Sequence, residues 1–400
     1  MNAVAPRQAG TAAGPVPAKR LRIAILNRVF SNTGGGAERY SMALVEQLAA
    51  RHEIHVFAQT IDHQWPGVRY HKVSAPLKKP RWINQLWYAL VTWWATRRGF
   101  DVVHSHENTW HGQVQTVHVL PVKYNLFHGR TGLRRVLRWC KVVTSPRLLV
   151  YLWLERLRFA PRQGRCIVVT ASSLRTIMAG TYPATVPLLQ VVTPGVAAVP
   201  GAASAAQKLA ARQGLGLPEA GHCVLLVGND YRKKGLAVLI EALGKLPADT
   251  VLAVVGHPGQ IPAFRAQAQA AGVGMRVFFL GTLKDVTPAY LAADCLAHPT
   301  LEDTFAMVVL EAMAHGLPVV VSPVRYCGIS GLLAHEGNAL VLDDPRDADV
   351  LVQALKRVLQ DAPLYQRLSD AAVVFAKSHQ WPAIALQQEA IYFSSCQAVD

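Results

Sequence analysis

Short apolar runs, bounded by polar residues and followed by stretches with helical spacing, recur along almost the whole chain. "LRIAILN" (21–27) opens the series. A glycine-rich turn follows, then apolar residues at helical spacing (Met42, Leu44, Val45, Leu48), then a second run, "EIHVFAQ" (53–59). Such short runs suit strands buried on both faces. Strand, glycine turn, helix and strand make a βαβ unit, which implies a parallel sheet. "DVVHSH" (101–106) and "CIVVTAS" (166–172) read as later strands of that sheet. The Pro-, Gly- and Ala-rich "VTPGVAAVPGAAS" (192–204) reads as a linker, and the alternation then restarts. "HCVLLVGN", "VLAVVGH", "RVFFLG", "CLAHPT", "LPVVVS" and "ALVLDD" are strand-like, with helical segments such as "LAVLIEALGKL" between them. The expected fold class is α/β, with two doubly wound Rossmann-like domains facing a cleft and ligands outside the carboxyl ends of the strands.

Length and composition agree with this. Four hundred residues exceed a typical single domain, and 51% apolar residues are ample for two cores and exclude a disordered chain. Domains are expected at 21–196 and 197–378, after an Ala/Pro/Gly-rich tail at 1–20 that lacks the apolar region of a signal peptide. Nowhere does the chain reach the roughly 18–20 uninterrupted apolar residues of a membrane span. The six scattered cysteines, without CxxC or finger spacing, read as reduced thiols and point to the cytoplasm. Charge is uneven: residues 1–200 hold 26 Lys/Arg against 7 Asp/Glu, and residues 201–400 hold 15 against 18. The first half therefore faces something anionic. A nucleic acid is one candidate, but no recognisable nucleic-acid motif is present.

Four stretches carry candidate chemistry. In "LEDTFAMVVLEAMAHGLPVVV" (301–321), Asp303 and Glu311 flank seven uncharged residues in a segment otherwise fit for a core. A buried carboxylate needs a polar partner. A helix expected to begin near Thr304–Ala306, capped by Thr304 or Asp303, would put Asp303 at the cleft mouth and Glu311 two turns in. The amides of Ala306, Met307 and Val308 would then form an anion site suited to a diphosphate. The alternative is a capped core helix whose one buried Glu bonds to backbone.

In "VGNDYRKKGLAVLIEAL" (227–243), a strand ends at Gly228, and Arg232, Lys233 and Lys234 precede Gly235 and a helix. Cations there can neutralise phosphates and stabilise a departing diphosphate, or form a solvated cluster. "NTGGGAERY" (32–40) is neither GxGxxG nor a Walker loop, but suits a tight, ligand-facing turn. His104 and His106 share a strand face, where strand-end histidines with backbone partners are commoner than metal ligands. His118 lies beyond a second apolar stretch, as a cleft residue or a satisfied loop histidine. No GxSxG elbow, HExxH or DxD-like metal pair is visible.

As a set these motifs resemble the retaining family 4 glycosyltransferases of the GT-B fold. "DTFAMVVLEAMAHGLPVV" is similar to the family's acid–seven–acid motif, "GNDYRKKGLAVLIEAL" to its donor-phosphate loop, "GGGAERY" to its first glycine turn and "TPGV" to its linker. The closing "HQWPAIALQQEAIYFSS", within 379–400, resembles the helix that crosses back onto the first domain. The pattern is closest to lipopolysaccharide-core and cell-surface glycan transferases.

The resemblance implies an acceptor-binding first domain and a nucleotide-sugar donor domain after it. Glu311 would hold the donor ribose, and Asp303, where the family usually has Glu, the donor sugar. Lys233 and Lys234 would bind the diphosphate; Gly228 belongs to that loop, where Asn229 replaces the usual Arg. Gly35 and Gly36 would line the donor side, and His118 would lie near the reacting centre. No metal or cofactor is implied; the substrate would be a nucleotide sugar, a UDP-sugar first. The acceptor would be a lipid-linked glycan or lipopolysaccharide core, met at the inner face of the cytoplasmic membrane. Tryptophans 82, 87, 93 and 94, interleaved with Lys78, Lys79, Arg81, Arg97 and Arg98, fit peripheral binding to an anionic surface. Alternatively they fill the core. A GT-B-like nucleotide-sugar epimerase, or a basic nucleic-acid-binding protein, is the alternative function.

Overall fold

The computed structural model describes residues 19–31, 35–77 and 79–397. Most of the expected tail, Asn32, Thr33 and Gly34 of the glycine turn, and Lys78 lie outside the described residues.

Beside a separate two-stranded pair, Val29–Phe30 with Thr60–Ile61, the described residues of the first half place seven strands in the main sheet: β1 (Arg22–Leu26), β2 (Glu53–Ala58), β3 (Val68–Lys72), β4 (Val102–Ser105), β5 (Val114–Val117), β6 (Cys166–Val169) and β7 (Leu189–Val191). They form one sheet in the order 3-2-1-4-5-6-7. The second half contributes six: β8 (His222–Val227), β9 (Thr250–Val255), β10 (Val277–Gly281), β11 (Cys295–His298), β12 (Val319–Val321) and β13 (Leu340–Val341). Their order, 10-9-8-11-12-13, repeats the first pattern. Every pairing in both sheets is parallel. A strand order that reverses direction beside the first strand of each half is that of doubly wound nucleotide-binding sheets. It opens a crevice at each carboxyl edge.

Burial explains the strand composition. β4, β5, β6, β9, β11 and β12 are buried throughout, since helices cover both faces of a parallel sheet. Helix α1 (Gly36–Leu48) buries Met42, Leu44, Val45 and Leu48, the residues whose spacing marks it as helical. In α2 (Arg81–Thr96) the buried face is Asn84, Gln85, Tyr88, Ala89, Thr92 and Thr96. Its Trp87, Trp93 and Trp94 are exposed, so these three do not fill the core. β6 stops at Val169 rather than Ser172, because Ser172 already begins the next helix.

Two more helices, α3 (Gly132–Val143) and α4 (Pro146–Arg158), follow β5. α5 (Leu236–Gly244) and α6 (Met307–Ala314) belong to the second half. The last helix, α7 (Trp381–Gln397), packs on the first half: Trp381, Ile384, Ile391 and Tyr392 share a core with β1 and α1. Glu389 on α7 accepts from Arg51 at 2.9 Å and lies 2.7 Å from His52 Nε2. The two passages of chain between the halves meet. Val196 N donates to His379 O at 2.8 Å, and Trp381 N to Val196 O at 3.1 Å.

Candidate active site

The carboxyl edges of the two sheets face a shared cleft of about 460 Å³. The first half supplies Gly35, Gly36, Arg39, Tyr40, His118 and Thr170; the second supplies Gly228, Lys233, Lys234 and residues 303–308. Gly35, Gly36, His118, Gly228, Lys233, Lys234, Asp303, Ala306, Met307 and Val308 all line this cleft, whereas Glu311, Arg232, His104 and His106 do not.

Lys234 reaches the cleft by a tight turn after β8. Gly235 has φ +77°, and a Cβ there would lie 2.0 Å from Pro299 O, so only glycine lets the turn close against the end of β11. Lys234 Nζ is ion-paired with Asp303 Oδ2. Lys233 points elsewhere: its half-exposed amine pairs with Glu302 at 2.7 Å on the rim. The cluster is thus divided between a partly buried cation, Lys234, and two exposed ones, Arg232 and Lys233.

Asp303 is held on several sides. His298 Nε2 lies 3.2 Å from Oδ2, while Oδ1 accepts from Phe305 N at 3.3 Å and Ala306 N at 2.8 Å. Burial would raise its pKa, but the His298 hydrogen bond and the Lys234 charge outweigh this and hold the carboxyl below its ordinary range. Burial pushes His298 down, against the Asp303 bond, so the ring is neutral and donates to the carboxylate.

Two expectations for α6 need correction. The helix begins at Met307, not at Thr304–Ala306, because Asp303 ties the preceding amides into a turn and Ala306 adopts a left-handed φ of 74°. Glu311 is therefore the fifth helical residue rather than two turns in. The Ala306 amide, expected to face an anion, is given to Asp303; Met307 and Val308 remain as first-turn amides without helical acceptors.

Glu311 meets two side chains instead of backbone. Arg39 Nη1 donates to Oε1 at 2.9 Å across the cleft, and Tyr290 OH donates to Oε2 at 2.7 Å. Gly36 faces Met307, whose Sδ would be 3.6 Å from an added Cβ. Thr304 Oγ1 donates to His118 O at 2.6 Å, a second tie between the halves.

The half-buried His118 lines the cleft, with Nε2 2.8 Å from His106 Nδ1 and its ring edge-on to Tyr40. Burial, then the charge of Arg158, pushes it down to about 3, so it is neutral near pH 7. His104 lies between Tyr392 OH and Thr116 Oγ1, each at 2.7 Å, so its partners are hydroxyls rather than backbone.

Comparison with known proteins bears on this geometry. Residues 34–197 match the family described as Glycosyltransferase Family 4, and residues 207–373 match Glycosyl transferases group 1. The chain belongs to the family 4 glycosyltransferases of the GT-B fold. It is 34% identical to the lipopolysaccharide glucosyltransferase WaaG of Escherichia coli (strain K12), over 41% of this chain and 44% of that protein. It is 31% identical to a D-inositol 3-phosphate glycosyltransferase of Corynebacterium aurimucosum, over 56% of each. The chain thus spans about half the length of these curated relatives. In fold it is similar to the crystal structure of WaaG (TM-score 0.79, 23% identity, covering 92% of this chain and 99% of that one). It is also similar to Anabaena HepE in complex with UDP and glucose (TM-score 0.73, 19% identity, covering 94% and 100%).

The sequence alone gives no role to Arg39, Tyr290 or His298. Arg39 lies inside the quoted "GGGAERY", so a signal was at hand. Tyr290 and His298 carry none, because each acts on a carboxylate only through the fold.

Proposed function

We propose that the protein is a retaining glycosyltransferase that moves a sugar from a UDP-sugar to a lipid-linked glycan or lipopolysaccharide-core acceptor at an anionic membrane surface. The observation that carries this reading is the convergence of Lys234, Asp303 and the first-turn amides of α6 on one cleft, with His118 facing them. In the proposed complex the diphosphate lies between Lys234 and the amides of Met307 and Val308. Negative charge grows on it as the glycosidic bond breaks, so a fixed cation and a helix amino end favour the transition state over the ground state. Asp303 holds hydroxyls of the transferred sugar, and Glu311 the ribose, Arg39 giving way to it. His118, neutral, offers a hydrogen bond near the reacting centre. The second half thus binds the donor and the first half the acceptor.

The surface of the first half supports the membrane element of the proposal. α3 exposes Leu133, Val136, Leu137, Trp139 and Val143 beside Arg134, Arg135, Arg138 and Lys141. Among the described residues no helix is long and apolar enough to cross a membrane.

The deciding experiment incubates the protein with a panel of nucleotide sugars, chosen by thermal shift, and a lipopolysaccharide-core acceptor. Sugar transfer with retained anomeric configuration, unaffected by EDTA, is the expected result. Absence of transfer and of nucleotide release with every donor refutes the reading, and conversion of the donor sugar to its epimer would support the epimerase alternative.

A further inference from the structure

At the opposite end of the first sheet, where β5 and β6 begin rather than end, a second cavity of about 350 Å³ opens beside the last turn of α2. His111 lines it at 8% exposure, and neither ring nitrogen has a hydrogen-bond partner. Arg165, 6% exposed, lies beside it. Its Nη1 donates to the carbonyls of Leu157, Arg158 and Ala160 and its Nη2 to Trp110 O and Gly112 O, but its Nε is buried without a partner. Arg97 and Arg162 line the exposed rim.

The charges that shift His111 and Arg165 are all positive. Burial, then Arg165 and Arg162, pushes His111 down to about 3. Burial, then Arg162 and Arg158, pushes Arg165 down to about 10. No carboxylate among the described residues is ion-paired with Arg97, Arg162 or Arg165. A buried guanidinium with no counter-ion, beside an imidazole with no partner, is costly unless an anion joins them.

We propose that this cavity binds a phosphate monoester, held by Arg97, Arg162, Arg165 and His111 at a site separate from the cleft. Three guanidiniums match a dianion better than a carboxylate, and the monoester is close to dianionic near pH 7. Its tetrahedral oxygens can meet donors from the residue that ends α2, from the loop before β5 and from the loop before β6 at once. The ester arises either from a lipid headgroup or from a soluble phosphate compound. Trp93, exposed at the rim, suits the first because indole rings favour the membrane–water interface.

Calorimetric titration of the full chain with inorganic phosphate tests the site, using wild type, Arg162→Ser, His111→Gln and Lys234→Gln. Arg162 is exposed, so its replacement leaves the fold intact, and Lys234→Gln reports phosphate taken up in the cleft instead. Arg162→Ser and His111→Gln are each expected to weaken uptake about tenfold, as for loss of one hydrogen bond to a charged group, while Lys234→Gln retains a phosphate-binding site. The proposal is overturned if no phosphate binds, if only Lys234→Gln reduces uptake, or if Arg162→Ser in folded protein changes nothing. Vesicles of phosphatidic acid and of phosphatidylglycerol, matched in surface charge, separate the sources. A preference for the monoester lipid that Arg162→Ser abolishes identifies a headgroup. Phosphate binding without such a preference identifies a soluble ester.

Discussion

Lys234 fits where it does because residue 228 has no side chain: a Cβ there would lie 2.6 Å from Lys234 Cγ. The lysine then shares Asp303 with His298, so its charge is placed before any donor arrives. Lys234→Ala is expected to lower kcat by about two orders of magnitude or more, comparable to losing one preorganised electrostatic group. A variant with normal kcat and only a raised donor KM would show that the lysine binds without stabilising the leaving group. Glu311→Gln keeps an acceptor for Tyr290 but loses the charge that Arg39 and a ribose would contact. Nucleotide affinity should fall by about 1–3 kcal/mol, measured calorimetrically in folded protein. Unchanged affinity would remove Glu311 from the ribose site. That Glu311 needs a polar partner follows from the sequence, because a carboxylate amid apolar residues is costly. Which groups meet it does not follow: Arg39 comes from 272 positions away and Tyr290 from 21.

The short apolar runs identify the elements, since a strand covered on both faces must be apolar at every position. Element ends were harder to read, and the candidate site is built from them. α6 shows why: its start depends on Asp303 binding two amides and on Ala306 adopting a left-handed backbone, and neither leaves a periodic trace. The turn before α5 is more sharply constrained. Gly235→Ala combines an unfavourable φ with contact against Pro299 O, and should cost roughly 2–5 kcal/mol in all. Gly216 offers the control, because it has φ +65° with nothing within 4 Å of an added Cβ. Gly216→Ala should cost only about 1–2 kcal/mol. Urea denaturation of both variants checks the difference, and equal losses would mean that the Pro299 contact yields freely.

Four histidines of the first half make the whole molecule acid-sensitive. His104, His111 and His118 are pushed down to about 3, chiefly by burial, and His106 lies well below its ordinary value for the same reason. Between about pH 6.5 and 3 the unfolded chain takes up protons that the folded chain refuses, so stability is full above 6.5 and falls with pH below it. Each histidine contributes up to about 1.4 kcal/mol per pH unit, while Glu107, raised by burial, acts in the opposite sense just above its ordinary value. Urea titrations should show stability dropping between pH 6.5 and 5, with a shallower slope in His106→Asn. A flat profile would mean that these rings protonate in the folded state. At the same scale, the exposed apolar and basic face of α3 should carry the protein onto anionic vesicles at low salt and release it at high salt. Co-sedimentation of wild type beside a variant with Arg134, Arg135 and Arg138 changed to Ser measures this, and wild type left in the supernatant would point to a soluble acceptor. The two crossings between halves have a mechanical meaning too. Laced together through Val196, His379 and Trp381, they act as a single pivot. Gly195 keeps them close, since a Cβ there would lie 2.9 Å from Trp381 N. A swing of the halves about that point, unlike a slide, would leave both of those backbone bonds in place. Any change of angle there parts Arg39 from Glu311 and Thr304 from His118 in proportion to their distance from the pivot, so the width of the cleft is read out by the same side chains that line it.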